Sequence, residues 1–250
     1  IYLNQVGGND ELVFDGASFI LNEKAEIVLE LPSCHKKVSV WETSSRHHSS
    51  LSTTREPLGE LFQALALGVR DYSEKCGFRS VILGLSGGID SALVAVIATA
   101  ALGADQVTTV LMPSPWSSSG SIEDALKLVE RLGIKSHKIP IAELMHGYDS
   151  ALTTCLKQKP NGITAENLQS RIRGTLLMAM ANQEGHLLLS TGNKSELAVG
   201  YCTLYGDMNG GLAVIGDIYK SCVFELCHWI DSPSASKWRK EMGLPDKGEL

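Results

Sequence analysis

The first 42 residues carry their apolar side chains in short runs broken by turn formers. VFDGASFIL, AEIVLEL and KVSVW are rich in β-branched and aromatic residues, and Asn22-Glu23-Lys24 separates the first two. This pattern predicts antiparallel hairpins with no helix between them. TSSRHHSSLSTTREP (43–57) is polar and reads as a linker, in which His47 and His48 are solvated side chains rather than metal ligands. After Pro57 the period lengthens. Leu58 to Tyr72 has the spacing of an amphipathic helix, and strands recur near 81–85, 107–112, 135–139 and 187–190 with helical stretches between them. The alternation predicts an α/β fold, a parallel sheet with helices on both faces, whose ligands lie at the carboxyl ends of the strands.

Residues 81–94, VILGLSGGIDSALV, compress one strand-to-helix handover into a short turn. The first amides of such a helix lack partners and the macrodipole adds positive charge, which suits an anion. Gly87 and Gly88 remove the side chains that would hold an anion off. No Lys follows Gly88, so the Gly-x-x-x-x-Gly-Lys-Ser/Thr loop is absent, and Gly84, Gly87 and Gly88 lack Gly-x-Gly-x-x-Gly spacing. Sites that transfer a γ-phosphoryl group usually clamp it with that Lys. A turn gripping the β- and γ-phosphates through Ser86, Gly87, Gly88 and Ser91 would instead hold pyrophosphate as the leaving group, expose the α-phosphorus and yield AMP. Asp90 then reads as a ligand for Mg²⁺. The alternative is that Ser86, Asp90 and Ser91 only cap a core helix. Ser-Gly-Gly-Ile-Asp-Ser resembles the signature of the pyrophosphate-loop ATPases, which activate a carboxylate or carbonyl as an adenylate.

Composition narrows the setting. A chain of 250 residues with 44% hydrophobic and 20% charged residues can bury a substantial core. Its net charge of −6 gives no basic field for nucleic acid, which counts against the tRNA-modifying members of that group. Six cysteines include no Cys-x-x-Cys pair, so neither zinc nor a sulfur-transfer dithiol is indicated, and scattered thiols fit a reducing cytoplasm. The longest apolar run, Ala92 to Ala104, is too short for a bilayer and reads as a core helix. No secretory signal is visible, and opening on Ile1 in strand-like sequence suggests a fragment.

Chemistry should follow the strands. Met112-Pro113-Ser114 comes after the second, and the Ser-rich stretch 114–121 is a lid or a connection, with Ser121 capping a helix from Ile122 to Leu132. In the helix of residues 162–182 Thr164 is the expected N-cap, and Leu168, Ile172, Leu176 and Ala179 form a buried stripe. Asn167, Arg171, Gly174 and Met178 form another, with Gly174 small enough for a ligand to approach, while Arg173 points elsewhere. That second stripe suits anion or amide recognition, or is merely solvated. The fourth strand ends in Ser190-Thr191-Gly192-Asn193; Glu196 follows one turn into a helix, where its carboxylate can complete a Mg²⁺ site opposite Asp90. Asp207 sits in a Gly-rich loop and Lys220 near the start of a later helix, positions suited to hydroxyl or amide recognition and to charge neutralisation.

S-G-G-I-D-S, E-N-L-Q-S-R-I-R-G, the block from Thr191 to Asp207 and G-D-I-Y-K-S together closely resemble the ordered motifs of the NAD synthetases. Residues 2–19 resemble the end of the nitrilase-like glutaminase domain fused to the glutamine-dependent form, and beyond Asp231 no match is clear. The resemblance implies a Rossmann-like adenine-nucleotide alpha-hydrolase fold over 58–250, C-terminally incomplete, after a nitrilase-like remnant at 1–42 and a linker at 43–57. It implies ATP-dependent amidation of deamido-NAD through an adenylate, with Met112 to Ser114 beside the adenosine. Gly84, Leu85, Ser86, Gly87, Gly88, Ile89, Asp90, Ser91 and Thr191 would hold ATP, and Asp90 and Glu196 would hold Mg²⁺. Lys220 would neutralise phosphate charge, and Asn167, Arg171, Glu196 and Asp207 would bind deamido-NAD. Cys34 matches no glutaminase nucleophile, so ammonia should come from solution or from a part of the protein outside this sequence. A cytoplasmic homo-oligomer with a dimeric synthetase core is implied as well. Rival readings are another adenylating amide synthetase and an inactive nucleotide-binding module.

Overall fold

A computed structural model describes residues 1–43, 56–246 and 248–250. Most of the expected linker, with His47 and His48, lies outside the described residues. The chain divides into two compact units, 1–72 and 73–250.

In the first unit, β1 (Val6–Asn9) pairs antiparallel with β2 (Leu12–Asp15), and β3 (Phe19–Leu21) with β4 (Ile27–Glu30). Helix α1 (Pro57–Lys75) runs across the division between the units. β1 lies close on it: a Cβ added to Gly8 would sit 3.3 Å from the Gly68 α-carbon, and the Gly8 N–H donates to Asp71 at 2.9 Å. KVSVW forms no strand, and Val38 and Val40 are exposed. Alternation supplies a face but no partner edge, and without one the run stays irregular.

The second unit is built on a parallel sheet of five strands. They are β5 (Val81–Gly84), β6 (Val107–Leu111), β7 (Lys135–Lys138), β8 (Leu187–Ser190) and β9 (Leu212–Ala213). The spatial order is β7-β6-β5-β8-β9, so the winding reverses between β5 and β8. A crevice opens at that reversal, outside the carboxyl ends of the strands. β9, missed in the sequence, is two residues long and has no period to read.

Helices α2 (Ile89–Leu102), α3 (Ser119–Leu132), α4 (Ala142–Leu156) and α5 (Gly162–Glu184) connect the strands. α6 (Lys194–Val199), α7 (Lys220–Ile230) and α8 (Ser236–Glu241) follow β8. α2 is buried almost all round, from Leu93 to Thr99 without a break, because it contacts β5, β6, α3 and α7. Its even apolarity is that of a central helix. α5 packs on β5 and β8, where Ile82, Val110, Met112, Ile141, Ile172, Ala181 and Leu188 form one core cluster. No helix among the described residues is long and apolar enough to cross a membrane.

Three local expectations are corrected. α3 starts earlier: Ser118 is its N-cap, accepting the Ser121 N–H at 3.1 Å, so Ser121 contributes the capped amide and not the cap. α5 starts at Gly162 after Asn161, which leaves Thr164 exposed inside the first turn. Its apolar side runs through Ile172, Leu176, Leu177, Met180 and Ala181, whereas Ala179 is exposed. A long helix drifts across the face it covers, so a stripe taken from its first half misses the second.

Candidate functional site

The turn after β5 is organised by its own serines. The Ser91 hydroxyl donates to the Gly88 carbonyl at 2.9 Å and accepts the Ser86 N–H at 3.2 Å, while the Ser86 hydroxyl accepts the Gly88 N–H at 3.1 Å. The N-cap of α2 is Gly88, which provides no side-chain cap. Ser86, Asp90 and Ser91 therefore do not act as caps of α2, and its leading amides stay available to an anion. Gly87 has φ +83°, and a Cβ there would come within 2.1 Å of the Ser121 carbonyl oxygen. Only glycine fits both the dihedral and the contact with the start of α3.

Across the crevice, the turn after β8 is held by Asn193, which is fully buried. Its Oδ1 accepts the Glu196 N–H at 3.0 Å, and its own N–H donates to Glu196 Oε2 at 3.0 Å, a reciprocal capping box that starts α6. Its Nδ2 donates to Asp90 Oδ1 at 3.1 Å. The other Asp90 oxygen takes the Lys220 ammonium, the first residue of α7, whose N–H is bound by the Ser195 hydroxyl at 3.0 Å. Two strand ends and three helix starts thus converge on one carboxylate.

Three adjoining cavities surround these turns. A cavity of about 500 Å³ is lined by Gly84, Leu85, Ser86 and Thr191, with Met112 and Leu177 as apolar wall. A second, of about 400 Å³, is lined by Ser86, Gly88, Asp90, Ser91, Thr191, Glu196 and Asp207. Gly87 and Ile89 face a third behind the turn. Asp90 and Glu196 share the second cavity, and no group of three or more His, Cys, Asp or Glu gathers among the described residues. Two carboxylates beside an anion-binding turn suit Mg²⁺, which takes one or two protein carboxylates and fills its octahedron with phosphate and water.

Asn167 and Arg171 line none of these cavities. They hold the loop after α6: Asn167 Oδ1 accepts the Thr203 hydroxyl at 2.9 Å, and Arg171 Nε donates to the Leu204 carbonyl at 3.2 Å. Asp207 is committed to the same loop, accepting the Thr203 N–H at 2.8 Å and the Ser170 hydroxyl at 3.2 Å. The expected role of Gly174 changes. A Cβ there would lie 2.7 Å from the Gly206 carbonyl and 2.5 Å from Asn209 Nδ2, so its smallness admits the backbone of this loop. The side of α5 that faces the large cavity is Glu166, Gln169, Ser170, Arg173, Gly174 and Leu177, one residue out of step with the expected stripe. Arg173 is therefore at the site. Its Nε donates to the Met112 carbonyl at 3.1 Å, just beyond the last β5–β6 bond, from the Leu85 N–H to the Val110 carbonyl. Burial lowers its pKa.

Cys227 on α7 is pushed up to about 12, first by burial, then by Asp231 and Asp90, against the opposing pull of Lys220. Cys34, in the first unit, is buried and raised by that burial, the opposite of what a thiolate nucleophile needs.

Comparison with known proteins gives a consistent result. The family model described as NAD synthase matches residues 61–239. A glutamine-dependent NAD(+) synthetase from Synechocystis sp. is 56% identical over 236 residues, which is 92% of this chain and 42% of that protein. The structure of a glutamine-dependent NAD+ synthetase from Acinetobacter baumannii in complex with ADP superposes with a TM-score of 0.89 at 45% identity, covering 92% of this chain and 45% of that one. An NH3-dependent NAD synthetase from Campylobacter jejuni, in complex with nitrate, gives a TM-score of 0.64 at 29% identity, with 76% of this chain and 79% of that chain covered. The chain spans half or less of the length of the curated relatives it matches.

Proposed function

Because the chain belongs to the NAD synthase family, we propose that it is a ligase that amidates deamido-NAD to NAD at the expense of ATP. The single observation that carries this reading is the convergence of the uncapped α2 turn, Asp90, Glu196 and Lys220 at one crevice. Gly84 to Ser91 and Thr191 bind ATP with the pyrophosphate end on the α2 amides. Asp90 and Glu196 would hold Mg²⁺, which when bound neutralises phosphate charge, and Lys220 supplies further positive charge beside them. Asn167, Arg171, Glu196 and Asp207 bind or orient deamido-NAD, the first two through the loop they fix.

The nicotinate carboxylate attacks the α-phosphorus; the bond from that phosphorus to the bridging oxygen breaks, and its electron pair leaves with pyrophosphate. Ammonia then attacks the acyl carbon of the adenylate, the carbon–oxygen bond to AMP breaks, and a proton passes to solvent. No side chain need form a covalent intermediate, so the rate gain comes from positioning and electrostatics. Glutamine is the nitrogen source named for several of the relatives, and ammonia for the Campylobacter protein. Cys34 is buried and its pKa raised by that burial, so it does not supply a glutaminase nucleophile, and ammonia comes either from solution or from glutamine hydrolysed in a part of the protein outside this sequence.

The test is release of AMP and pyrophosphate from Mg-ATP and deamido-NAD, with ammonium chloride or with glutamine. Turnover with ammonium and none with glutamine is expected, and Asp90→Asn should abolish it while circular dichroism stays unchanged. ADP in place of AMP would sink the assignment of the leaving group.

A further inference from the structure

Among the described residues, Asn193 is the one side chain bonded both to the turn that carries Glu196 and to Asp90. Its amide orientation follows from the partners: the Glu196 N–H requires an acceptor and the Asp90 carboxylate requires a donor, so a flipped amide would lose both bonds. We propose that Asn193 is a positioning residue that sets the placement of Asp90 relative to Glu196, so that the two carboxylates form a ready-made divalent-cation site. This inference rests on the reading of Asp90 and Glu196 as metal ligands.

Residue chemistry narrows the choice at this position. Asp would cap α6 as well as Asn, but would set a second carboxylate against Asp90. Ser and Thr also cap, yet they are too short to reach across the crevice. Asn alone caps with its oxygen and donates with its nitrogen at the same time. Complete burial makes both bonds costly to lose, because a carboxylate freed on this side would be left with Lys220 alone. Lys220 draws Asp90 toward α7; the Asn193 bond is the counterweight toward α6.

The discriminating variant is Asn193→Ser, which keeps a capping hydroxyl for α6 and removes the bond to Asp90. Mn²⁺ binding, followed by electron paramagnetic resonance in the presence of α,β-methylene-ATP, is the readout. Outer groups that orient metal ligands typically change affinity about 10- to 100-fold, so Mn²⁺ should bind about tenfold more weakly. Nucleotide affinity in EDTA should not move, while the melting midpoint should fall with the loss of a buried hydrogen bond. If Asn193 is only a cap, Ser leaves Mn²⁺ affinity unchanged, and that result overturns the proposal. Should Asn193→Ser fail to fold, Asn193→Thr fills more of the space, keeps a cap and carries the same expectation. Absence of Mn²⁺ binding by the unsubstituted protein would instead remove the metal-ligand reading, and the positioning role with it.

Discussion

The turn at 84–91 and the loop at 201–211 line the same crevice but are built on opposite plans. The turn is local: its serines bond one another, its glycines open the backbone, and the start of α2 provides the charge. The loop has turn bonds of its own, among them the Gly206 N–H to the Thr203 carbonyl and the Thr203 N–H to Asp207, but it is seated by distant partners on α5, through Asn167, Ser170, Arg171 and the gap above Gly174. Tyr205 even holds φ +62°, a conformation that a residue with a side chain keeps only where its surroundings impose it. A site element encoded by neighbours in sequence should fail all at once when one residue changes. One encoded by distant partners should fail in steps.

Gly87→Ala tests the first half of this contrast with the largest effect. The new Cβ would need both positive φ and a place already taken by the Ser121 carbonyl, which is backbone and cannot rotate away. Displacement of a phosphate site by about 1 Å can cost roughly 100-fold, so kcat/KM for ATP should fall at least that far. AMP release measured across ATP concentrations decides it. A variant with near-normal kcat/KM would show that the turn tolerates rearrangement and is not the rigid element described.

Gly174→Ala tests the second half. Helix propensity alone predicts that Ala in place of Gly inside α5 stabilises by about 1 kcal/mol. The structure predicts the reverse, because Gly206 and Tyr205 carbonyls and Asn209 occupy the space. KM for deamido-NAD should rise about tenfold, equivalent to roughly 1.4 kcal/mol, with KM for ATP nearly constant. A more stable protein with unchanged KM would break the link between α5 and the loop.

These two glycines also show where the sequence was legible. Gly87 was readable because its place in a strand-turn-helix handover calls for glycine, although its contact with the Ser121 carbonyl was not, and the order of short strands and helices was enough for a parallel sheet. Gly174 was picked out, but for a ligand that turned out to be the protein's own backbone. Arg173 was set aside because the stripe on α5 was taken one residue out of step; the spacing Glu166, Gln169, Arg173, Leu177 marks the correct side only once β6 is known to end at Leu111, with the Met112 carbonyl just beyond it. Asn193 drew no attention beyond its place in a turn, since its bond to Asp90 joins residues 103 apart in the chain. Local backbone chemistry is written in consecutive residues, whereas side chains that tie two turns together become visible only with the topology.

Arg173→Lys gives a smaller effect at the boundary of the two regions. Lys keeps the charge but cannot both donate from Nε to the Met112 carbonyl and present a planar fork to the cavity. Loss of one such hydrogen bond is worth about 1 kcal/mol, so KM for ATP should rise roughly fivefold with kcat little changed. Equal losses in kcat and kcat/KM would instead place Arg173 at the reacting atoms.

The finest comparison uses thiols already in place. Cys227 lies on the turn's side of the crevice, half-buried near Asp90 and Lys220, and its pKa of about 12 leaves it protonated at pH 8.5. Cys202 belongs to the loop and lines the cavity that Asp90 and Glu196 share. Only the thiolate reacts with iodoacetamide, so Cys227 should label far more slowly than Cys202, with the exposed Cys76 and Cys155 as internal standards for reagent access. Adding Mg-ATP should slow Cys202 relative to those standards and leave Cys227 as it was. Mass spectrometry of the peptides separates the four sites. Labelling of Cys227 at the rate of Cys202 would mean that α7 opens as readily as the loop, and the distinction between a rigid turn and a borrowed loop would then have no basis on that side of the crevice.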